Sequence, residues 1–402
     1  MQVSILGAFD RHNYGDLLFP LILKDYFSKI EKKIELNYYG LTKANLSQYG
    51  GIDTLPFAEF YSQSKLLSSK NVIIVAGGSV VGTRAGILYS FLKQRRILDF
   101  FRKSSKVFFR SDFTESIAKK QLKITWGNYP FCPRKPSEKT LLIYNSVGDK
   151  FREDVELIEV LKSADYISVR NPNLYTKLKT HIFDQDRILL CPDSASVMAD
   201  IWHREILKDK ATHESKRILS NYKEGYIAFQ GKIKMKWHIR DITKQLRKLY
   251  DMTKLPILLV SIGRAYKHED HIFLNQLANK LDVPVKLLNS ENIFDIMYAI
   301  SCAKLFIGTS LHGNITAMSY AVPHLGFSKV LKLDQYLKHW DVGPNQSTGC
   351  IKSSQICDAS VNLLQKIDHE QLVDNSKRLS MLADKNLKTI IEYVNRYKGG
   401  SG

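Results

Sequence analysis

The sequence predicts an α/β protein of two consecutive domains, each built on an open parallel sheet. The chain has 402 residues, which at roughly 150 residues per domain is enough for two. Short apolar, β-branched runs alternate with longer stretches of helical periodicity, as in parallel sheets that helices cover on both faces. The alternation stops over residues 196–224 and then begins again. Hydrophobic residues make up 44% of the chain, which excludes disorder as its main state.

The first half contains one helix that can be bounded closely and a series of strands. The helix is expected from Asp16 to Phe27, with Pro20 in about the first turn, where a missing N–H costs least. These elements predict an N-terminal Rossmann-like domain over residues 1–195. Its strand candidates are Val3–Gly7, Ile34–Tyr39, Val72–Ala76, Val107–Phe109, Leu141–Ser146, Ile167–Val169 and Ile188–Cys191.

The second half repeats the pattern after a linker region, 196–224. A helix with Ile293, Met297 and Ile300 on one face is expected, capped by Asn289 or Ser290. This predicts a C-terminal Rossmann-like domain over 225–370, and a last amphipathic helix over 371–398 that is a candidate for packing back on the N-terminal domain. Such domains bind ligands where the carboxyl ends of their strands form a cleft. The strand candidates are Tyr226–Phe229, Ile257–Val260, Val285–Leu288, Leu305–Gly308 and His324–Gly326.

Cysteine usage and the hydropathy pattern favour a cytoplasmic enzyme. The five cysteines are scattered without a CxxC pair, which argues against a zinc ribbon and fits a reducing compartment. No secretory leader and no run of about 18 apolar residues is visible. His268 and His271 fit a solvated helix start better than a metal pair, so no metal is expected.

The positive charge is concentrated in two segments. The chain carries 59 Lys and Arg against 40 Asp and Glu, a net charge of +19, which indicates an anionic partner. Residues 84–110 and 230–248 hold much of the excess, and the second segment, which includes Trp237, is a candidate either for lining a donor site or for facing lipid. The stretch 84–103 is a candidate membrane-facing basic helix, the alternative being a core-facing helix with a solvated basic face. No nucleic-acid-binding motif is present, so an anionic membrane surface or a phosphorylated donor is favoured over nucleic acid.

Two loops that follow strands carry polar or glycine-rich motifs. GAFDRHNYGD brings Asp10, Asn13 and Asp16 to the start of a helix, with Gly15 allowing close backbone approach. A plain strand–turn–helix connection capped by Asp16 explains the same residues equally well. The later AGGSVVGT loop contains Gly77 and Gly78, which suit either a ligand or a tight turn.

A third loop, IGTSLHGNITAM, combines a histidine with hydroxyl and amide groups. His312 is expected beside a helix N-terminus, facing the cleft, where an imidazole can bind an anion or exchange a proton. Thr309, Ser310 and Asn314 add polar groups to the loop. Arg264, which follows the 257–260 strand, is a further candidate for the cleft.

These motifs, in this order, resemble those of the polysaccharide pyruvyl transferase family. The resemblance spans about residues 1–335, and its strongest part is the loop from Ser310 to Gly313. It continues into a Val-Pro step and then a lysine. The other matching residues are Gly7, Asn13, Gly15 and Asp16, then Gly77-Gly78, Ser168-Val169-Arg170-Asn171 and Pro192-Asp193. This chain departs from the family where Ser310 replaces a frequent Arg and Asn171 replaces the usual Asp.

The resemblance implies two domains in a GT-B-like arrangement with a cleft between them. It also implies a transferase that places a pyruvate ketal from phosphoenolpyruvate (PEP) on a sugar of a cell-surface polysaccharide, such as a capsule or exopolysaccharide, or on its lipid-linked precursor. The implied donor-binding cations are Arg170, His312 and Lys329, with Lys332 as a competing lysine. No cofactor is expected, and the enzyme is placed in the cytoplasm, peripheral on the inner face of the cell membrane.

The residue set leaves the roles and the donor open. His312 is the candidate acid or phosphate contact, and Asp10 or Asp16 is the candidate base or acceptor ligand. Thr309, Ser310, Gly313, Asn314 and Arg264 are expected on the donor side; Asn13, Gly15, Gly77 and Gly78 are expected on the acceptor side. A glycosyltransferase that uses a nucleotide sugar would need similar parts. A non-catalytic anion- or membrane-binding protein is the third hypothesis.

Overall fold

The computed structural model describes residues 2–30, 34–66, 71–78, 80–89, 112–148, 154–182, 184–264, 269–328 and 330–399. Among these residues, two parallel sheets and the helices around them form the molecule. The strand candidate Val107–Phe109 and most of the basic stretch 84–103 lie outside the described residues.

The first sheet has seven parallel strands in the order β3-β2-β1-β4-β5-β6-β7. The central strands β4 and β5 are buried along their whole length, because helices cover both faces. The short edge strand β3 was not predicted from the sequence, since it has two residues and one of them is proline. The strands are β1 Gln2–Leu6, β2 Glu35–Gly40, β3 Leu55–Pro56, β4 Asn71–Ala76, β5 Thr140–Val147, β6 Tyr166–Val169 and β7 Ile188–Leu190.

The first helix begins earlier than the sequence suggested. Asn13 occupies the N-cap position and Asp16 lies within the first turn, so the prediction of Asp16 as the cap is wrong. Pro20 consequently lies inside the helix, beyond the first turn in which it was expected. The helices around this sheet are α1 Tyr14–Ser28, α2 Phe57–Leu66, α3 Ala85–Tyr89, α4 Asp112–Leu122, α5 Val155–Lys162 and α6 Pro172–His181.

Three helices occupy the stretch of the chain between β7, the last strand of the first sheet, and the first strand of the second sheet. Arg204 ties this region to the second sheet's helices by donating to the Ser301 and Tyr320 carbonyls at 2.9 and 2.8 Å. The helices are α7 Met198–Ile201, α8 Arg204–Lys210 and α9 His213–Ser220.

The second sheet has five parallel strands in the order β10-β9-β8-β11-β12. The strands are β8 Ile227–Gln230, β9 Ile257–Val260, β10 Val285–Leu288, β11 Leu305–Gly308 and β12 His324–Gly326. The helices are α10 Ile239–Thr253, α11 Asp270–Ala278, α12 Ile293–Ser301, α13 Leu311–Ser319, α14 Leu331–Trp340, α15 Pro344–Thr348 and α16 Ile356–Lys366.

The cap of α12 differs from the prediction. Asn292 is the N-cap, because its side chain accepts a hydrogen bond from the Phe294 amide. Asn289 and Ser290, the predicted caps, have other partners. The Asn289 side chain accepts from Arg264 at 2.7 Å, and the Ser290 hydroxyl donates to Asp295 at 2.5 Å.

The last helix, α17 (His369–Gly399), contacts elements of both halves of the chain. In the first half, Tyr26 donates to Asp384 at 2.7 Å and Tyr166 donates to Asn386 at 2.9 Å. In the second half, Ser376 donates to the carbonyl of Ser319 at 2.7 Å. None of the helices in the described part of the chain is long and apolar enough to cross a membrane.

Candidate active site

A cleft lies where the carboxyl ends of the strands of the two sheets meet. Its volume is about 470 Å³. Segments that follow β1, β4 and β6 line it from the first half, and segments that follow β8, β9, β11 and β12 line it from the second. Its described charged residues, besides His312, are four cations and two carboxylates: Arg11, Arg170, Lys232, Lys332, Asp16 and Asp270. This composition suits an anionic ligand.

A buried ion pair between Arg170 and Asp193 lies at the cleft. Arg170 directly follows β6, and Asp193 follows the neighbouring strand β7. The guanidinium donates to the Asp193 carboxylate, and the two side chains are only 4% and 0% exposed. Helix α14 fixes both residues. The Trp340 indole donates to the Arg170 carbonyl at 2.9 Å, and the Asp193 amide donates to the Tyr336 hydroxyl at 3.2 Å.

His312 is the third member of this cluster. It lies in the first turn of α13, and its Nε2 atom is 3.4 Å from an Asp193 carboxylate oxygen and 3.4 Å from Arg170 Nη1. Burial by itself would raise the pKa of the Asp193 carboxyl, but Arg170 first and His312 second outweigh it and hold this pKa at about 2. Asp193 is therefore ionised at neutral pH and can stabilise a protonated imidazole.

Gly15 gives His312 its space. A Cβ atom added at Gly15 would lie 1.8 Å from His312 Nδ1, so the imidazole packs directly on the first turn of α1. Tyr14, the preceding residue, donates or accepts a hydrogen bond of 2.8 Å with Thr316 on α13. The Asn13 backbone bridges to Gly263. The first loop of the chain thus contacts the histidine helix of the second half.

Asp16 lies in the same cleft. Its carboxylate accepts a hydrogen bond of 2.6 Å from the Asn13 amide group, and Arg11 Nε lies 3.8 Å away. A Cβ atom added at Gly78 would lie 3.1 Å from Asp16 Oδ1, so the glycine loop after β4 packs close to this carboxylate. The structure brings Asn13, Asp16 and Gly78, all of them predicted site residues, to one surface.

Gln230 holds the loop that precedes α13. Its carbonyl oxygen accepts from the Thr309 amide at 2.9 Å, the Thr309 hydroxyl at 3.1 Å and the Ser310 amide at 2.9 Å. Its amide group donates to Asp270 at 2.7 Å, and the Gly263 amide donates to the same carboxylate at 2.8 Å. Burial raises the pKa of Asp270 to about 6, although these hydrogen bonds lower it in part. The Ser310 hydroxyl caps α13 by accepting from the Gly313 amide at 3.2 Å.

Three predicted site residues have structural roles outside the cleft lining. The Asp10 carboxylate accepts from the Thr42 amide and hydroxyl at 3.0 and 2.9 Å, and burial raises its pKa. Arg264 donates to Asn289 and to the Ser290 carbonyl at 2.7 and 3.0 Å. The Asn314 amide donates to the Gly308 and Ser310 carbonyls. The partners of Asp10 and Arg264 lie 32 and 25 residues away in the chain, so the linear motifs do not reveal them. Those of Asn314 lie within its own motif.

At two predicted glycines, the group that approaches the backbone closely is an aromatic side chain of this protein. A Cβ atom at Gly77, where φ is +65°, would lie 2.1 Å from the Phe19 ring. At Gly313 it would lie 2.6 Å from the Phe306 ring. These positions therefore require glycine for internal packing.

Sequence reasoning gave no site role to Asp193 or Arg11, and it named Gln230 and Lys232 only as part of the segment 230–248, a candidate for a donor site or a lipid surface. Asp193 was noted as part of a motif, yet its pairing with Arg170 depends on β6 and β7 being neighbours. Gln230 ends β8, which pairs with β11 just before Thr309, and this adjacency is the signal that could have found it. Lys332 lines the cleft, whereas Lys329 lies outside the described residues, so the choice between the two lysines stays a prediction.

A family model for polysaccharide pyruvyl transferases matches residues 13–328, most of the chain. The chain belongs to the polysaccharide pyruvyl transferase family. The resemblance noted in the sequence is confirmed, and with it the assignment of this pyruvyl transferase family member as an enzyme of the transferase class. A search of curated proteins found no match.

Solved structures with the same fold confirm two Rossmann-like domains in a GT-B-like arrangement. The S. aureus MnaA–UDP structure has a TM-score of 0.57 and 12% identity, over 99% of this chain and 96% of that one. The Neisseria meningitidis UDP-GlcNAc 2-epimerase bound to UDP-GlcNAc has a TM-score of 0.57 and 10% identity, over 98% and 100%. The Methanocaldococcus jannaschii UDP-GlcNAc 2-epimerase in complex with UDP-GlcNAc and UDP has a TM-score of 0.57 and 9% identity, over 98% and 100%. At such identities the likeness shows the fold alone.

Proposed function

We propose that this enzyme transfers a pyruvyl group from PEP to two hydroxyls of one sugar, forming a ketal. The observation that carries the proposal is the Arg170–Asp193–His312 cluster in a cation-lined cleft that also holds Asp16. The acceptor in this proposal is a cell-surface polysaccharide or its lipid-linked precursor. Family membership supports the reaction class, and the cluster supports a small, multiply charged donor.

The reaction sets clear chemical requirements. Two bonds form between C2 of PEP and sugar oxygens, and the bond from C2 to the phosphate oxygen breaks. The double bond between C2 and C3 becomes single as C3 gains a proton. The two hydroxyls release two protons, of which one balances C3 and the other leaves with the phosphate. The site must therefore supply an acid, a base and cations for the carboxylate and phosphate.

The cluster and the neighbouring Asp16 supply candidates for the carboxylate-binding cation, the acid and the base. Arg170 has further N–H groups besides the one that donates to Asp193, and a guanidinium forks well onto a carboxylate. His312 is the candidate proton donor to C3, because it lines the cleft and its Nε2 atom lies 3.4 Å from the Asp193 carboxylate, which orients the imidazole. Asp16 is the candidate base for the attacking hydroxyl, since its carboxylate can accept a proton, lines the cleft and is held in place by Asn13.

Phosphate release from PEP in the presence of an acceptor saccharide tests this proposal. We expect His312→Gln and Asp16→Asn to lower kcat by about 100-fold or more, the usual size of general acid–base contributions. His213→Gln is the matched control, because His213 is exposed on α9. PEP should also raise the Tm of the wild-type protein.

The opposite result has a definite meaning. A Tm raised by UDP, CMP or GDP, with no effect of PEP, would replace this proposal with a nucleotide-sugar glycosyltransferase. Failure of both ligand classes, together with an unchanged His312→Gln protein, would refute the enzymatic reading of this cleft.

We also propose that the enzyme binds peripherally to anionic lipid on the inner face of the cell membrane, close to a lipid-linked acceptor. Trp237 is 81% exposed in the turn that leads into α10. The Lys236 ammonium lies 5.0 Å from its ring centroid, and Lys234 is exposed beside it. An exposed indole surrounded by cations is typical of surfaces that enter the lipid headgroup region.

A further inference from the structure

Lys232 is a cleft residue to which neither the motifs nor the proposed acid–base groups give a role. It lies two residues beyond Gln230, the last residue of β8. Gln230 binds the Thr309 and Ser310 amides directly before α13, because β8 and β11 are neighbouring strands. Lys232 therefore emerges at the corner of the cleft where the His312 loop begins, and it lines the cleft together with Ser310 and His312.

The Lys232 ammonium makes no hydrogen bond or ion pair with any residue in the described part of the chain, although it is half-buried. Burial lowers its pKa, and the nearby Asp270 carboxylate offsets this in part. Asp270 is itself occupied by the Gln230 and Gly263 donors. A partly buried cation without a paired anion is costly, and a bound anion would remove that cost.

Arg170 differs in this respect. Asp193 lies close to Arg170 and balances its charge, so the pair is close to neutral. Arg170 therefore offers a ligand directed N–H donors but little net positive charge. A carboxylate with a single charge suits such a pair. A phosphate dianion gains more from a positive charge that is not engaged in an ion pair and is only partly offset by Asp270, because Coulomb attraction grows with the product of the charges.

We propose that Lys232 binds the phosphate of the donor, while Arg170 binds its carboxylate. This assignment rests on the proposed function for the identity of the donor, but the phosphate contact can be measured without turnover. It makes the second half of the chain the phosphate side of the cleft and the first half the carboxylate side. As the C2–O bond breaks, Lys232 would stabilise the charge that accumulates on the leaving phosphate.

The test compares Lys232→Met with Lys232→Arg, and uses Lys223→Met as the matched control, because Lys223 is exposed in the turn before β8 and does not line the cleft. The measurements are the Kd of inorganic phosphate and of PEP by titration calorimetry, and the KM for PEP. We expect Lys232→Met to weaken the binding of both ligands by about 10- to 100-fold, the usual value of a charge-assisted contact. Lys232→Arg should retain most of the affinity, and Lys223→Met should match the wild type.

The outcomes separate the two proposals. Unchanged phosphate affinity in Lys232→Met, or an equal loss in Lys223→Met, overturns the assignment of Lys232. Phosphate binding that depends on Lys232 in a protein that neither binds nor consumes PEP would keep the assignment and refute the pyruvyl donor. Should Lys232→Met fail to fold, Lys232→Gln provides the same comparison, with folding checked by the Tm.

Discussion

Gly15→Ala should lower the activity strongly while it changes the stability of the protein only slightly. The added Cβ atom would lie 1.8 Å from His312 Nδ1, whereas ordinary contacts begin at 3.4 Å, so the imidazole must move by roughly 1.6 Å. Gly15 lies in α1 without a positive φ, so the helical backbone accepts alanine and gains up to about 1 kcal/mol of helix propensity. Overpacking costs about 1–3 kcal/mol in return, so the net change in stability should be small.

The effect on the reaction should be large. Misplacement of a reacting group by about 1 Å can cost about 100-fold in rate, and here the displaced imidazole is the one whose Nε2 atom lies 3.4 Å from the Asp193 carboxylate. The assay is phosphate release from PEP with an acceptor saccharide, with the Tm recorded in parallel. We expect kcat to fall by about 100-fold and the Tm to change by only a few degrees.

Gly86→Ala is the matched control. Gly86 also lies in a helix, and its added Cβ atom would lie 2.9 Å from the carboxylate of Glu115, a flexible side chain, outside the cleft lining. If Gly15→Ala keeps activity within about threefold of the wild type, the packing of His312 on α1 does not position it for catalysis. An equal loss in Gly86→Ala would point to a general effect of the added methyl group.

Three further predictions follow from other residues. Asp193→Asn should destabilise the protein by roughly 2 kcal/mol at pH 7, because the pKa of the Asp193 carboxyl is about 2 in the folded protein and 3.8 for an unperturbed aspartate. The variant's Tm should therefore lie below that of the wild type, by a difference that shrinks as the pH falls below 4; a difference that stays constant with pH would contradict the prediction. Asp270→Asn should raise the Tm at pH 8, because the raised pKa of about 6 makes the ionised carboxylate unfavourable in the folded state; the gain should vanish below pH 4, and a loss of Tm at pH 8 would refute this. Trp237→Ala should weaken sedimentation with anionic vesicles, while Met252→Ala, which removes another exposed apolar side chain, should not; equal binding by all three proteins would exclude this surface as the anchor.

The alternation of apolar runs and helical patterns was enough to predict the two parallel sheets. Apart from the short edge strand β3 and the candidate at 107–109, the strands coincide with the predicted runs to within about two residues. This succeeds because a buried parallel strand needs a continuous apolar run, which is a local property of the sequence. The start of α1 was less predictable, since both Asn13 and Asp16 are good caps and the loop geometry decides between them.

The sequence also indicated which loops line the cleft, since parallel strands collect the residues that follow them at one edge. It could not distinguish Asp16, which lines the cleft, from Asp10, whose carboxylate is bound by Thr42. Both are aspartates of one short motif, but Asp10 is bound by Thr42, which lies 32 residues further along the chain, whereas Asp16 is held by the nearby Asn13. The same holds for Arg264, which the 289–290 loop binds.

By itself, then, the sequence determined the fold class, the family and the set of loops that face the cleft. Each of these follows from local apolar runs, helical periodicity and the order of short motifs along the chain. Only the tertiary structure decided which charges are neutralised and which remain available. Asp193 neutralises Arg170 because β6 and β7 are neighbours, and Lys232 joins the His312 loop because β8 and β11 are neighbours. Electrostatic balance depends on distances between residues far apart in the chain, and those distances exist only after the sheets have formed.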